Sequence, residues 1–198
     1  MITFINNSPD KPFVELRNRY MNALDNNQKS IEAVCISSYS NIKNEVTARF
    51  VNLKIVDTNQ LIFFTNYKSD KASDFETNNQ AAITIFWNKT NVQIRLKGTM
   101  KKKSSIYNEE YFYSRSKEKN ALAISSMQSK KIASYKDVVK KYNEVFLKDD
   151  LSKCPSYWGG YSFSPYYFEF WDGHKSRVNK RYVYELVKNK WVEYYLEP

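Results

Sequence analysis

Histidine is almost absent from this chain of 198 residues, which has only His174. A histidine-based metal cluster is excluded by that count, and demanding chemistry would need a borrowed reagent. Cysteine is scarce too, with Cys35 inside an apolar run and Cys154 beside Pro155. Two cysteines without framework spacing predict reduced thiols in a cytoplasmic protein rather than a disulfide scaffold. No stretch approaches about 18 apolar residues, and MITFINNSPDKP lacks a basic region followed by an apolar one. A secreted or membrane-spanning protein is therefore not expected. Helix-turn-helix, zinc-finger and aromatic RNA-binding patterns are missing, as are internal repeats and low-complexity tracts.

What is abundant is aromatic and basic. Phe, Trp and Tyr make up 16% of residues, a bias that favours strands. The net charge of +10 attracts anionic partners. The lysines are scattered in pairs and triplets (Lys101 to Lys103, Lys130-Lys131, Lys140-Lys141), as on a solvated surface, so nucleic acid is not expected as the main partner. The length suits one sizeable core and a single domain over residues 1–198.

Periodicity predicts mainly β structure with flanking helices, about seven or eight strands in all. Phe13, Leu16, Tyr20 and Leu24 recur at helical spacing. Strands are predicted at 31–38, 45–56, 60–65, 81–87 and 92–100, and a terminal hairpin at 182–187 and 190–196 about Asn189. In EVTARFVNLKIV, Arg49 and Lys54 fall on opposite faces unless a bulge intervenes. Ser69 or Asp70 caps a helix whose free N–H groups suit a phosphate. Tyr111 and Arg115 share a helical face, with Lys119 one turn on if that helix continues. Val138, Val139, Tyr142, Val145 and Phe146 predict a core-facing helix over 136–147.

The densest stretch is WGGYSFSPYYFEFWDGHKSRVNKR, residues 158–181. Alternation puts Tyr167, Glu169 and Trp171 on one face of a strand and Phe168 and Phe170 on the other, one face being core. A turn at 172–176 would return the chain with Arg177, Asn179 and Arg181 on a single strand face. Two guanidinium groups beside an aromatic and an acid suit a flat anionic ligand. On spacing alone, a solvated hairpin with surface arginines is the favoured reading.

Nine segments in order resemble the pyridoxine/pyridoxamine 5'-phosphate oxidase family. They are TARFVNLK (47–54), FFTNYKSDKA (63–72), the Gln93 strand, YFYSR (111–115), MQS (127–129), WGGYSFSP (158–165), FEFWDG (168–173), RVNKR (177–181) and the closing LEP. The resemblance implies an FMN-binding split β-barrel and a homodimer with FMN at its interface. It implies that Arg49, Lys71, Gln128 and Ser129 hold the FMN phosphate, and that Lys54, Phe64, Thr65, Gln93, Trp171 and Arg181 surround the rest of the flavin. Lys54, Tyr111, Arg115 and Lys119 would grip the substrate phosphate, with Arg177 and Asn179 over the substrate ring. The implied reaction oxidises pyridoxine or pyridoxamine 5'-phosphate at C4' to pyridoxal 5'-phosphate, with hydride passing to flavin N5 and O2 reoxidation giving H2O2.

The chain departs from the family pattern at three places. Asp70 stands where an arginine is usual, so it either turns away or weakens FMN binding. Lys119 replaces a serine, and Asn179 replaces a histidine and cannot take up a proton. Asn179 keeps open a phenazine-biosynthesis type of substrate. Asp70 keeps open a non-catalytic carrier of flavin or pyridoxal phosphate.

Overall fold

The computed structural model describes all residues, Met1–Pro198. The elements run β1 (Thr3–Ile5), α1 (Lys11–Asp25), β2 (Ala33–Ser40), β3 (Glu45–Asp57), β4 (Gln60–Asn66), α2 (Asp70–Thr77), β5 (Gln80–Trp87) and β6 (Val92–Lys102). Then come α3 (Ser105–Tyr113), α4 (Lys117–Ser125), α5 (Tyr135–Lys148), β7 (Trp158–Asp172), β8 (Lys180–Val187) and β9 (Lys190–Leu196). Asn and Thr make the tight turns: Asn44, Thr58 and Asn91 take positive φ between antiparallel strands, and Lys188 and Asn189 do so together in the β8–β9 hairpin.

Strands β3, β2, β5, β6 and β7 are neighbours in that order, and β4 pairs with both β3 and β7 to close a six-stranded barrel. The 15-residue β7 is the element that splits it. Its first half, Trp158 to Phe163, pairs with β4, and its second half, Tyr167 to Asp172, pairs with β8 outside the closed ring. Val34, Ile36, Leu53, Phe63, Ile83, Ile94, Phe168 and Phe170 fill the interior. Helix α1 covers one end through Phe13, Leu16, Tyr20 and Ala23, and the Phe13 ring meets Phe168 edge-on at 5.1 Å.

Apart from the return of the chain after β7, the predicted strands, turns and first helix are present, and four further readings need correction. Short β1, which runs parallel to β3, was not foreseen. The helix carrying Tyr111 stops at Tyr113, so Arg115 lies in the break before α4 and Lys119 belongs to α4. Helix α5 buries no residue; it rests on α4 through half-covered Val138, Tyr142 and Val145 and leaves Val139 and Phe146 exposed. On β7 both faces are buried, because Glu169 on the expected open face is only 1% exposed.

Gly159 of β7 is required by packing. A Cβ on Gly159 would lie 2.3 Å from both the Tyr67 hydroxyl and Asn108 Nδ2. Those groups close a hydrogen-bonded ring, with Asn108 donating to Tyr67 Oη (3.0 Å), Tyr67 to the Gly160 carbonyl (3.0 Å) and the Gly160 N–H to Asn108 Oδ1 (2.9 Å). Gly159→Ala is expected to lower the thermal midpoint by roughly 5 °C or more, read by calorimetry. An unchanged midpoint would mean that the ring relaxes at no cost.

Candidate active site

Beyond Leu53, β3 leaves the β2 side of the barrel and meets β4 with a register shift between Leu53 and Ile55. This bulge turns Lys54 into the same cavity as Arg49, resolving the parity problem posed by the sequence. The cavity is about 810 Å³ and is lined by Arg49, Lys54, Phe64, Thr65, Lys71, Tyr111, Arg115, Lys119, Gln128 and Ser129. These are ten of the fifteen residues expected at the site.

One part of the cavity is a cationic cluster on α2 and β3. Lys71 is only 6% exposed, and its ammonium donates to Thr65 Oγ1 (3.0 Å) and Ser69 Oγ (3.2 Å). No carboxylate pairs with it. Burial, reinforced by the nearby Arg49 charge, pushes its pKa down to about 8, with Asp70 opposing. Arg49 donates to Ser38 Oγ at 2.6 Å and to Thr47 Oγ1, and burial lowers its pKa. Asp74 approaches Arg49 at 3.8 Å and also accepts from Ser38, so the guanidinium has a protein counter-ion as well as a free side. Across the mouth, Thr65 Oγ1 and the Asn66 N–H donate to Gln128 Oε1, clipping the loop after α4 to the end of β4. Ser129 on this loop holds a positive φ of 69°.

A second cluster sits on an aromatic slab. The Phe64 and Tyr111 rings stack at 3.7 Å, and Trp158 continues the slab 5.3 Å from Phe64. The Arg115 guanidinium lies 4.3 Å over the Trp158 ring and donates to the Lys119 carbonyl, while its Nη1 is buried without a protein partner. An orphaned guanidinium donor beside a cavity suits an anion. Burial raises the Tyr111 pKa, with Arg115 opposing, so the phenol keeps its proton to donate. Trp158 was not singled out as a site residue, although it opens the WGGY motif. Lys54 lies 3.8 Å from Glu32.

The remaining five expected residues lie elsewhere on the chain. Gln93 pairs with Trp171 across β6 and β7, and Trp171 with Arg181 across β7 and β8, so the three form one row. Buried Glu169 accepts from Arg181 Nε and from Arg95, both at 2.9 Å, and from the Tyr167 hydroxyl at 3.1 Å, which holds Arg181 in place. Arg177 and Asn179 correct the sequence reading, because β8 begins only at Lys180. Arg177 sits exposed in the β7–β8 loop at φ 59°, and Asn179 Oδ1 accepts from the His174 N–H at 2.9 Å. The turn extends because Asn179 closes it from within.

A family model described as pyridoxamine 5'-phosphate oxidase matches residues 23–149, and one described as the pyridoxine 5'-phosphate oxidase C-terminal dimerisation region matches 158–198. The chain belongs to the pyridoxamine 5'-phosphate oxidase family. Membership makes it an oxidase-like enzyme. It is 36% identical over 180 residues to pyridoxine/pyridoxamine 5'-phosphate oxidase 1 of Hydrogenovibrio crunogenus, covering 90% of this chain and 83% of that one. The Rhodopirellula baltica pyridoxine/pyridoxamine 5'-phosphate oxidase is 31% identical over 200 residues, 98% of this chain and 90% of its own. Among solved structures, PhzG from Burkholderia lata in complex with tetrahydrophenazine-1-carboxylic acid superposes with a TM-score of 0.88 at 22% identity, covering 96% of this chain and 94% of that one. A pyridoxamine 5'-phosphate oxidase-related, FMN-binding protein from Nostoc punctiforme gives 0.76 at 16% identity, with 92% and 97% covered. Both superpositions establish the split-barrel fold of the oxidase family.

Proposed function

We propose that this chain is an FMN-dependent oxidase of pyridoxine 5'-phosphate or pyridoxamine 5'-phosphate, acting as a homodimer. The observation that carries the reading is one cavity with two cationic clusters, each with cationic donors free for an anion: buried Lys71 without a carboxylate partner, and the orphaned Nη1 of Arg115. Two phosphate groups, one on the cofactor and one on the substrate, match two such clusters. A barrel of these residues therefore fits FMN.

Lys71, Arg49, Gln128 and Ser129 would hold the flavin phosphate, and the free edge of β3 from Arg49 to Lys54, with Phe64 and Thr65, would flank the rest. Arg115, Tyr111, Lys119 and Lys54 would bind the substrate phosphate, fixing the reacting carbon by position rather than by acid–base chemistry. Bound FMN supplies the two-electron acceptor that O2 reoxidises to give H2O2. Arg177 would orient the substrate ring, and Asn179 would shape the loop that presents it.

Gln93, Trp171, Arg181, Arg177 and Asn179 would reach this cavity from a second copy of the chain. Phe86 pairs with Gln93 across β5 and β6, and so extends the Gln93–Trp171–Arg181 row; Phe86 is 56% exposed and Phe50, on the same outer sheet face, is 74% exposed. Such a face calls for cover, and the dimerisation-region match spans β7 to β9.

The deciding experiment is a visible spectrum of the FMN-loaded protein mixed anaerobically with either vitamer. Bleaching of the flavin band with formation of pyridoxal 5'-phosphate is expected. A bound flavin that stays oxidised with both vitamers would overturn the substrate assignment, and bleaching by a phosphate-free cyclic substrate would favour the phenazine type that Asn179 keeps open.

A further inference from the structure

The flavin-phosphate cluster contains a carboxylate it should not tolerate. Asp70, the first residue of α2, lines the same cavity as Arg49 and Lys71. A negative charge is stabilised at a helix N-terminus, but there it opposes any bound phosphate. Counting side chains at this end, Arg49 and Lys71 face Asp70, Asp74 and Glu45, and without a third cation the sum would be negative.

The third cation comes from the turn between β2 and β3. Lys43 Nζ lies 3.3 Å from Asp70 Oδ2 and 3.8 Å from Glu45 Oε1, and it too lines the cavity. Asp74 acts on it only at longer range, because its carboxylate is held by Ser38 and Arg49. Lys43 is 55% exposed and Asp70 52%, so the pair contributes little to folding, and its consequence is electrostatic.

Resting on the FMN reading above, we propose that Lys43 is a specificity-determining residue for phosphorylated flavin. Asp70 docks its ammonium at the cavity rim, where it offsets the carboxylate and presents a cation to the phosphate. The β2–β3 turn thereby supplies the charge that the start of α2 lacks.

The test compares FMN with riboflavin, which differ in the phosphate alone, by quenching of flavin fluorescence on the full-length protein. Lys43→Ala is expected to weaken FMN roughly 10-fold and leave riboflavin unchanged. In an Asp70→Ala background, the same substitution is expected to cost no more than about 3-fold. Equal weakening of both flavins, or no weakening of FMN, would overturn the inference while leaving the cofactor assignment standing. A wild-type protein that binds neither flavin would overturn the cofactor assignment and this inference with it.

Discussion

Lys71→Met is expected to produce a protein that is more stable than the wild type and binds FMN far more weakly. The opposed signs follow from the surroundings of one ammonium group. In the free protein Lys71 is a buried cation held only by the hydroxyls of Thr65 and Ser69. Both hydroxyls donate onward, Thr65 to Gln128 Oε1 and Ser69 to the Asn66 carbonyl, so neither loses a donor's partner when the ammonium goes. A methionine of similar length fills the space without a desolvated charge, and removing that desolvation cost is expected to stabilise by up to about 3 kcal/mol. A phosphate would lose a charged hydrogen bond worth about 1.5–3 kcal/mol, or roughly 10- to 150-fold in affinity.

The same lysine gives the wild type a pH signature. With its folded pKa at about 8, below the ordinary lysine value of 10.5, the unfolded chain holds more protons than the folded one between those two values. The stability cost of the buried cation is therefore complete below about pH 8 and is relieved as pH rises through that window. FMN is expected to run the other way: with its phosphate on protonated Lys71, as proposed, affinity should fall above about pH 8 while riboflavin affinity stays flat. Denaturant melts and fluorescence titrations from neutral to alkaline pH check both slopes, and Lys71→Met is expected to abolish both. FMN affinity that survives the substitution would remove Lys71 from the phosphate cluster.

Local chemistry made much of this fold legible. Alternation marked the barrel strands, and Asn189 marked the turn of the terminal hairpin, because these are decisions between neighbours along the chain. Ten of the expected residues line one cavity, because the family's motifs preserve strand order and register. What stayed hidden depends on groups distant in sequence. The bulge at Lys54 is set by how β4 meets β3, and the burial of Glu169 by Arg95 and Arg181 on the flanking strands. Helix α5 shows the opposite limit: its apolar repeat reads as core, yet it buries no residue and its main cover within the chain is α4. The division of the site residues into two groups could not be read from order along the chain, since Gln93 and Arg49 look alike as strand polar residues. Lys43 carried no motif at all, and only its 3.3 Å approach to Asp70 reveals it.

Arg115→Met is expected to lower kcat/KM for pyridoxine 5'-phosphate by about 10²- to 10³-fold, some 3–4 kcal/mol, while FMN affinity stays within a few-fold of wild type. The guanidinium is fixed before any substrate arrives: Trp158 stacks beneath it at 4.3 Å and the Lys119 carbonyl holds Nη2 at 2.9 Å. Nη1 alone is left without a partner, and it is buried. Orientation is thus already built in, and a phosphate that completes the donor set recovers most of a charged hydrogen bond. Lysine at this position would keep the charge but lose both the stack and the fork, so Arg115→Lys is expected to recover less than a tenth of the lost activity. The loss should appear chiefly in KM, since the phosphate takes no part in the bond changes at C4', with any fall in kcat reporting misplacement of the ring. Phosphate-free pyridoxine provides the control, because any turnover of it would not draw on Arg115. An equal loss with both substrates would show that Arg115 supports the fold of the α3–α4 break instead of gripping a phosphate.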